Sequence, residues 1–186
     1  MRTIPGMVVI NPADDIEAKA AVKAAYEYDG PVYLRFGRLA VPVINDNADY
    51  KFEIGKGLVL REGTDVSIIA TGLEVNFALE AAEMLAKDGI NAEVVNIHTI
   101  KPIDRELILK TAEKTGLVVT VEEHSIYGGL GSAVAEVLSE EMPTVVKRIG
   151  VNDTFGESGP AVELLHKYKL DGEGVYQQIR EFLNQE

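Results

Sequence analysis

The chain has 186 residues, a formal net charge of −12 and no cysteine. That charge excludes a general nucleic-acid-binding surface, and the lack of thiols excludes a disulfide framework and a thiolate metal site. No apolar run approaches the roughly 18 residues of a membrane span, and the N-terminus lacks a signal peptide's basic region and apolar core, so a cytoplasmic location is the default expectation.

Met7 to Ile10 reads as a strand, and Asn11-Pro12-Ala13-Asp14-Asp15 as a helix start with its acids where the helix dipole favours them. The helix runs to about Tyr28, with Ile16, Ala20, Ala24 and Tyr28 in register, and Asp29-Gly30-Pro31 stops it. Val32 to Phe36 is a second strand. A lone βαβ unit has no second layer and cannot bury both faces of its strands. Residues 1–44 therefore read as the tail of a domain whose body is missing.

The polar, turn-prone run from Val43 to Asp49 places a linker over residues 45–56, with a second domain over 57–186. Regular alternation follows. Strands are expected at Gly57 to Arg61, Asp65 to Thr71, Ala92 to Ile97 and Val145 to Ile149. An amphipathic helix spans Leu73 to Asp88, with Phe77, Ala81, Met84 and Leu85 inward and Gly89 at its end. Pro102 and Asp104 open a helix over 105–115. Leu117 to Val121 is apolar and β-branched, as a strand buried on both faces should be. A helix follows from Ser132 to Met142-Pro143, then the loop 150–159, a helix from Pro160 to about Tyr168, and one capped by Asp171 and ending near Leu183. Strands alternating with helices imply a three-layer α/β/α domain with a mostly parallel sheet.

Ligands gather at the carboxyl ends of such strands, and polar residues concentrate there. Gly128, Gly129 and Gly131 lie between a strand and a helix, where an anion is readily held. Neither Gly-x-Gly-x-x-Gly nor a Gly-Lys-Ser/Thr ending is present, so a φ > 0 turn and close helix packing fit them better. Alternation on a strand puts Glu122 and His124 on one side and Glu123 on the other. Two such residues do not complete a metal site, and His98 and His166 lie on other elements. A polar contact at a domain or subunit boundary is the reading for Glu122 and His124. Arg35 and Arg38 flank Gly37 at a strand end, which suits an oxyanion as well as a boundary ion pair.

Several runs together resemble transketolase. Ile4-Pro5-Gly6-Met7, Asn11-Pro12-Ala13-Asp14 and Gly30-Pro31-Val32-Tyr33-Leu34-Arg35-Phe36-Gly37-Arg38 resemble the end of its pyrimidine-binding domain. Leu73-Glu74-Val75, Asn96 through Asp104, Glu122-Glu123-His124, Gly128-Gly129-Leu130-Gly131, Arg148-Ile149-Gly150-Val151 and Phe155-Gly156-Glu157-Ser158-Gly159 resemble its C-terminal domain. The resemblance implies a five-stranded sheet whose first strand, 57–61, is antiparallel to the rest. It implies an enzyme that moves two-carbon ketol units between sugar phosphates with thiamine diphosphate and Mg²⁺, both held by parts of the family fold that these residues do not match. It matches Arg38 to an arginine that contacts the substrate phosphate. An N-terminal section is the implied partner, in a homodimer of the complete enzyme, and the fragment alone is expected to be inactive. Deoxyxylulose-phosphate synthase and the 2-oxoacid dehydrogenase β subunit share this domain and stand as alternatives, as does a stand-alone nucleotide- or effector-binding module.

Overall fold

The computed structural model describes residues 1–184. In chain order the elements are β1 (Val8–Ile10), α1 (Asp15–Glu27), β2 (Val32–Leu34), β3 (Leu58–Arg61), β4 (Val66–Ala70), α2 (Glu74–Lys87), β5 (Ala92–Asn96), β6 (Thr99–Lys101), α3 (Arg105–Thr115), β7 (Leu117–Ser125), α4 (Leu130–Glu141), β8 (Val145–Val151), α5 (Ala161–Lys167) and α6 (Gly172–Leu183).

The larger sheet has five strands in the order β3-β5-β4-β7-β8. Its four inner and far strands run parallel, and β3 lies antiparallel against β5, as expected. Every residue of β4 is buried, because helices cover both faces. Ile68 faces a core built with Val75, Leu85, Val175 and Ile179 from α2 and α6. Ile69, its neighbour, faces the opposite core with Ile108, Val134 and Leu138 from α3 and α4. One strand of period two thus joins three layers.

The N-terminal unit is less isolated than a lone βαβ would be. Its β1 pairs in parallel with β2 on one side and antiparallel with β6 on the other. Strand β6 belongs to the second half of the chain, where no strand at 99–101 was expected. Three residues carry too little periodicity to announce a strand, and the pairing partner lies about 90 positions away in sequence. Lys101 anchors the same join by donating to the carbonyls of Arg2 and Ile4, at 2.9 and 2.7 Å.

Helix α1 also turns a different face inward. Glu17 and Ala21 are buried, whereas Tyr28 is 41% exposed. The inward acid is possible because it is well partnered. Its carboxylate accepts from the Ala13 N–H, the Tyr50 hydroxyl and the Asn96 amide at 2.6–2.9 Å. Asp14 caps α1 through the Glu17 N–H, and its other oxygen accepts from the N–H groups of Ile44 and Asn45 at 2.8 and 2.7 Å. Burial pushes the Asp14 carboxyl up, but these backbone donors outweigh it and hold the group below its ordinary value. The segment following the N-terminal unit is thereby fastened over the start of α1.

Candidate functional site

The carboxyl ends of β1, β2, β4 and β7 contribute Asn11, Arg35, Thr71 and His124 to one edge of the molecule, around a cavity of about 130 Å³. Glu122 and His124 both line this cavity, while Glu123 lines a separate cleft, so the strand alternation holds. Strand β7 continues to Ser125, so all three polar residues stand on the strand itself rather than beyond it.

Glu122 is buried, and its two carboxylate oxygens accept the N–H groups of Leu130 and Gly131 at 2.8 Å each. These are orphan donors at the N-terminus of α4, and the carboxylate satisfies them from outside the helix. A Cβ at residue 129 would lie 1.8 Å from a Glu122 oxygen, which is why Gly129 must be a glycine. Gly128 takes φ = +78° and turns the chain into the helix. A Cβ at Gly131 would meet the Thr120 hydroxyl at 2.7 Å, so the helix presses on the sheet there. The glycine turn does receive an anion, and that anion is the chain's own Glu122. Burial raises the Glu122 pKa, against which the two N–H groups and the charges of His124 and Arg35 pull less strongly.

Arg35 and Arg38 part company. Arg35 is half-buried and donates to the Glu123 carbonyl at 2.6 Å, with the Glu123 carboxylate 3.8 Å away. Arg38 is exposed and opens onto a cleft of about 590 Å³, shared with Glu123 and the loop Gly156 to Gly159. No carboxylate among the described residues lies within ion-pair distance of it. Loop residue Glu157 is held by Lys167, and Phe155 stands 99% exposed beside it.

The other histidines lie elsewhere. His98 is buried, stacks on Phe52 with ring centroids 4.4 Å apart, and is lowered to about 4 by that burial. His166 is exposed and pairs with Asp171 at 2.7 Å. Among the described residues no three His, Asp or Glu side chains are grouped to hold a metal. With the α4 N-terminus filled by Glu122, these residues do not fit a diphosphate–metal site. In the sequence Asn11 and Tyr33 stand in runs that resemble transketolase, Asn11 also at a helix start, but neither they nor Thr71 carried a site role there. The position of Asn11 immediately after a strand was the available signal.

A three-layer α/β domain joined through a shared strand to the βαβ end of a second α/β domain is the architecture these elements define. Family models for the transketolase C-terminal domain and the transketolase pyrimidine-binding domain match residues 55–175 and 1–43. The chain belongs to the transketolase family. It is 50% identical, over all of its length and 58% of the relative's, to a protein of Methanocaldococcus jannaschii named as a transketolase C-terminal section. It is 43% identical to a 1-deoxy-D-xylulose-5-phosphate synthase of Geobacter sulfurreducens, over 98% of this chain and 29% of that one. A solved split-gene transketolase, described as an inactive β4 tetramer, superimposes with a TM-score of 0.92 at 53% identity, over 97% of this chain and 59% of that one. The chain thus spans little more than half the length of its split-gene relatives. No helix among the described residues is long and apolar enough to cross a membrane.

Proposed function

We propose that this chain works as the C-terminal section of a two-part transketolase, which transfers two-carbon ketol units between sugar phosphates. The observation that supports it most is the 53% identity to a split-gene transketolase across nearly the whole chain. Residues 1–44 are the tail of the pyrimidine-binding domain, 45–56 the linker and 57–186 the C-terminal domain. Thiamine diphosphate and Mg²⁺ are held by the N-terminal section, and the complete enzyme is a cytoplasmic homodimer. Glu122, His124 and the Gly128–Gly131 turn serve the boundary between the two sheets.

In the assembled enzyme Arg38 grips the phosphate of the sugar. Its exposure, and the absence of a counter-ion for it among the described residues, support this role. A charged hydrogen bond contributes about 1.5–3 kcal/mol, or roughly ten- to a hundredfold in affinity. Arg38→Ala should therefore raise KM for phosphorylated sugars by about that factor and leave unphosphorylated analogues nearly unaffected. The assay mixes this chain with a candidate N-terminal section. Equal loss on both substrate types would make Arg38 structural. The identity to a deoxyxylulose-phosphate synthase keeps a second reading alive. The same mixture, supplied with that enzyme's substrates, decides between them by which product forms.

A further inference from the structure

The cavity between the two sheets has chemistry that the proposed ketol transfer does not use. Asn11 is only 4% exposed, lines the cavity, and its side-chain amide makes no hydrogen bond among the described residues. That amide is not sealed within the protein but opens onto the cavity, where it can bond a polar occupant. Arg35 reaches the same cavity; one nitrogen donates to the Glu123 carbonyl and lies 3.8 Å from the Glu123 carboxylate, while its other guanidinium nitrogens make no hydrogen bond among the described residues. Tyr33 also lines the wall, and its hydroxyl makes no hydrogen bond among the described residues. His124 gives its Nδ1 hydrogen to the Ser125 carbonyl at 2.8 Å, which leaves Nε2 as the nitrogen available to an occupant.

Hydrogen-bond donors therefore converge from β2 and from the end of β1, and a histidine adds to them from β7. Glu122, the acid beside them, is already engaged by two backbone N–H groups. The space measures about 130 Å³ and opens to solvent, which suits a molecule or group of a few heavy atoms. Val9 and Ile100 supply apolar wall. We propose that this cavity is a binding site for a small oxyanion, a phosphate or a short carboxylate, held by Arg35, Asn11 and Tyr33. Because its walls come from both halves of the chain, an occupant fastens the N-terminal unit to the larger domain. Binding to the folded chain alone raises its stability by mass action.

The test titrates the intact chain with inorganic phosphate, with acetate, and with chloride at matched ionic strength, following backbone amide shifts by NMR. The expected result is saturable change at Tyr33, Gly128 and Gly129 with phosphate or acetate, and a dissociation constant on the order of 1 mM. Whichever of the two saturates identifies the source of the oxyanion. Asn11→Ala and Tyr33→Phe should each weaken binding about tenfold, equivalent to about 1.4 kcal/mol, while Arg38→Ala leaves it unchanged. Tyr33→Phe removes only a surface hydroxyl, so it reports even where Asn11→Ala disturbs the fold. Shifts that never saturate, or that chloride reproduces, overturn the proposal. So does binding abolished by Arg38→Ala but indifferent to Asn11→Ala, an outcome that leaves the role of Arg38 as a phosphate contact intact.

Discussion

Glu74 occupies the first turn of α2, fully buried, and neither carboxylate oxygen makes a hydrogen bond among the described residues. Burial drives its pKa well above the ordinary 4.5, and repulsion from Glu123 and Asp171 adds to the shift. The folded chain then holds the proton to a higher pH than the unfolded chain does. Stability therefore falls as pH rises from the unfolded value through the raised folded one. Glu74→Gln keeps the shape and cannot ionise. It should match the parent in urea unfolding near pH 4 and exceed it by at least about 1 kcal/mol at pH 8, the scale of an unsatisfied buried group. Parallel curves at both pH values would remove Glu74 as the cause. Glu17 shows why composition cannot sort these cases. It is an equally buried acid on another helix, yet it has three donors, and none of them is near it in a way a sequence window reveals except Ala13.

At the scale of elements, the unit from β7 through the glycine turn to α4 was legible as strand, turn and helix because β-branched runs, glycines and apolar helical spacing are local signals. The helix starts at Leu130 rather than Ser132, because Glu122 satisfies N–H groups eight and nine positions ahead of it. That distance follows no helical or strand period, so the cap was invisible in the sequence and the acid read as a boundary contact. Gly129→Ala tests it. The new Cβ would stand 1.8 Å from a Glu122 oxygen, and the side chain would have to leave both donors. Hydrogen bonds to a charged group contribute about 1.5–3 kcal/mol each, so a loss of about 3–5 kcal/mol is expected in chemical denaturation. Gly128→Ala meets open space and suffers only from its positive φ, at about 1–2 kcal/mol. Equal losses at the two positions would mean that the turn's strain, not the carboxylate cap, governs the site.

On the scale of the whole molecule, the five-stranded sheet followed from the alternation of elements, whereas the join between the two sheets did not. Strand β6 exists because β1 offers it a ladder, and long-range pairing of three residues leaves no periodic trace. The consequence is an uneven N-terminal unit. Strand β1 is buried and paired on both sides, while β2 has an open outer edge and α1 exposes Val22 and Tyr26 at 50% and 90%. If an N-terminal section completes this domain, it should cover that open side. In hydrogen exchange, the isolated chain should protect β4, β7 and the amides of β1 that bond to its neighbours, and exchange β2 and the ends of α1 faster. Adding the N-terminal section should slow exchange in β2 and α1 and leave β4 and β7 unchanged, because their protection already comes from helices on both faces. Slowing confined to the larger sheet would place the partner on the opposite side of the molecule. Uniform protection of the isolated chain, shown to be monomeric, would mean that the open edge is stable by itself and that residues 1–44 need no missing body.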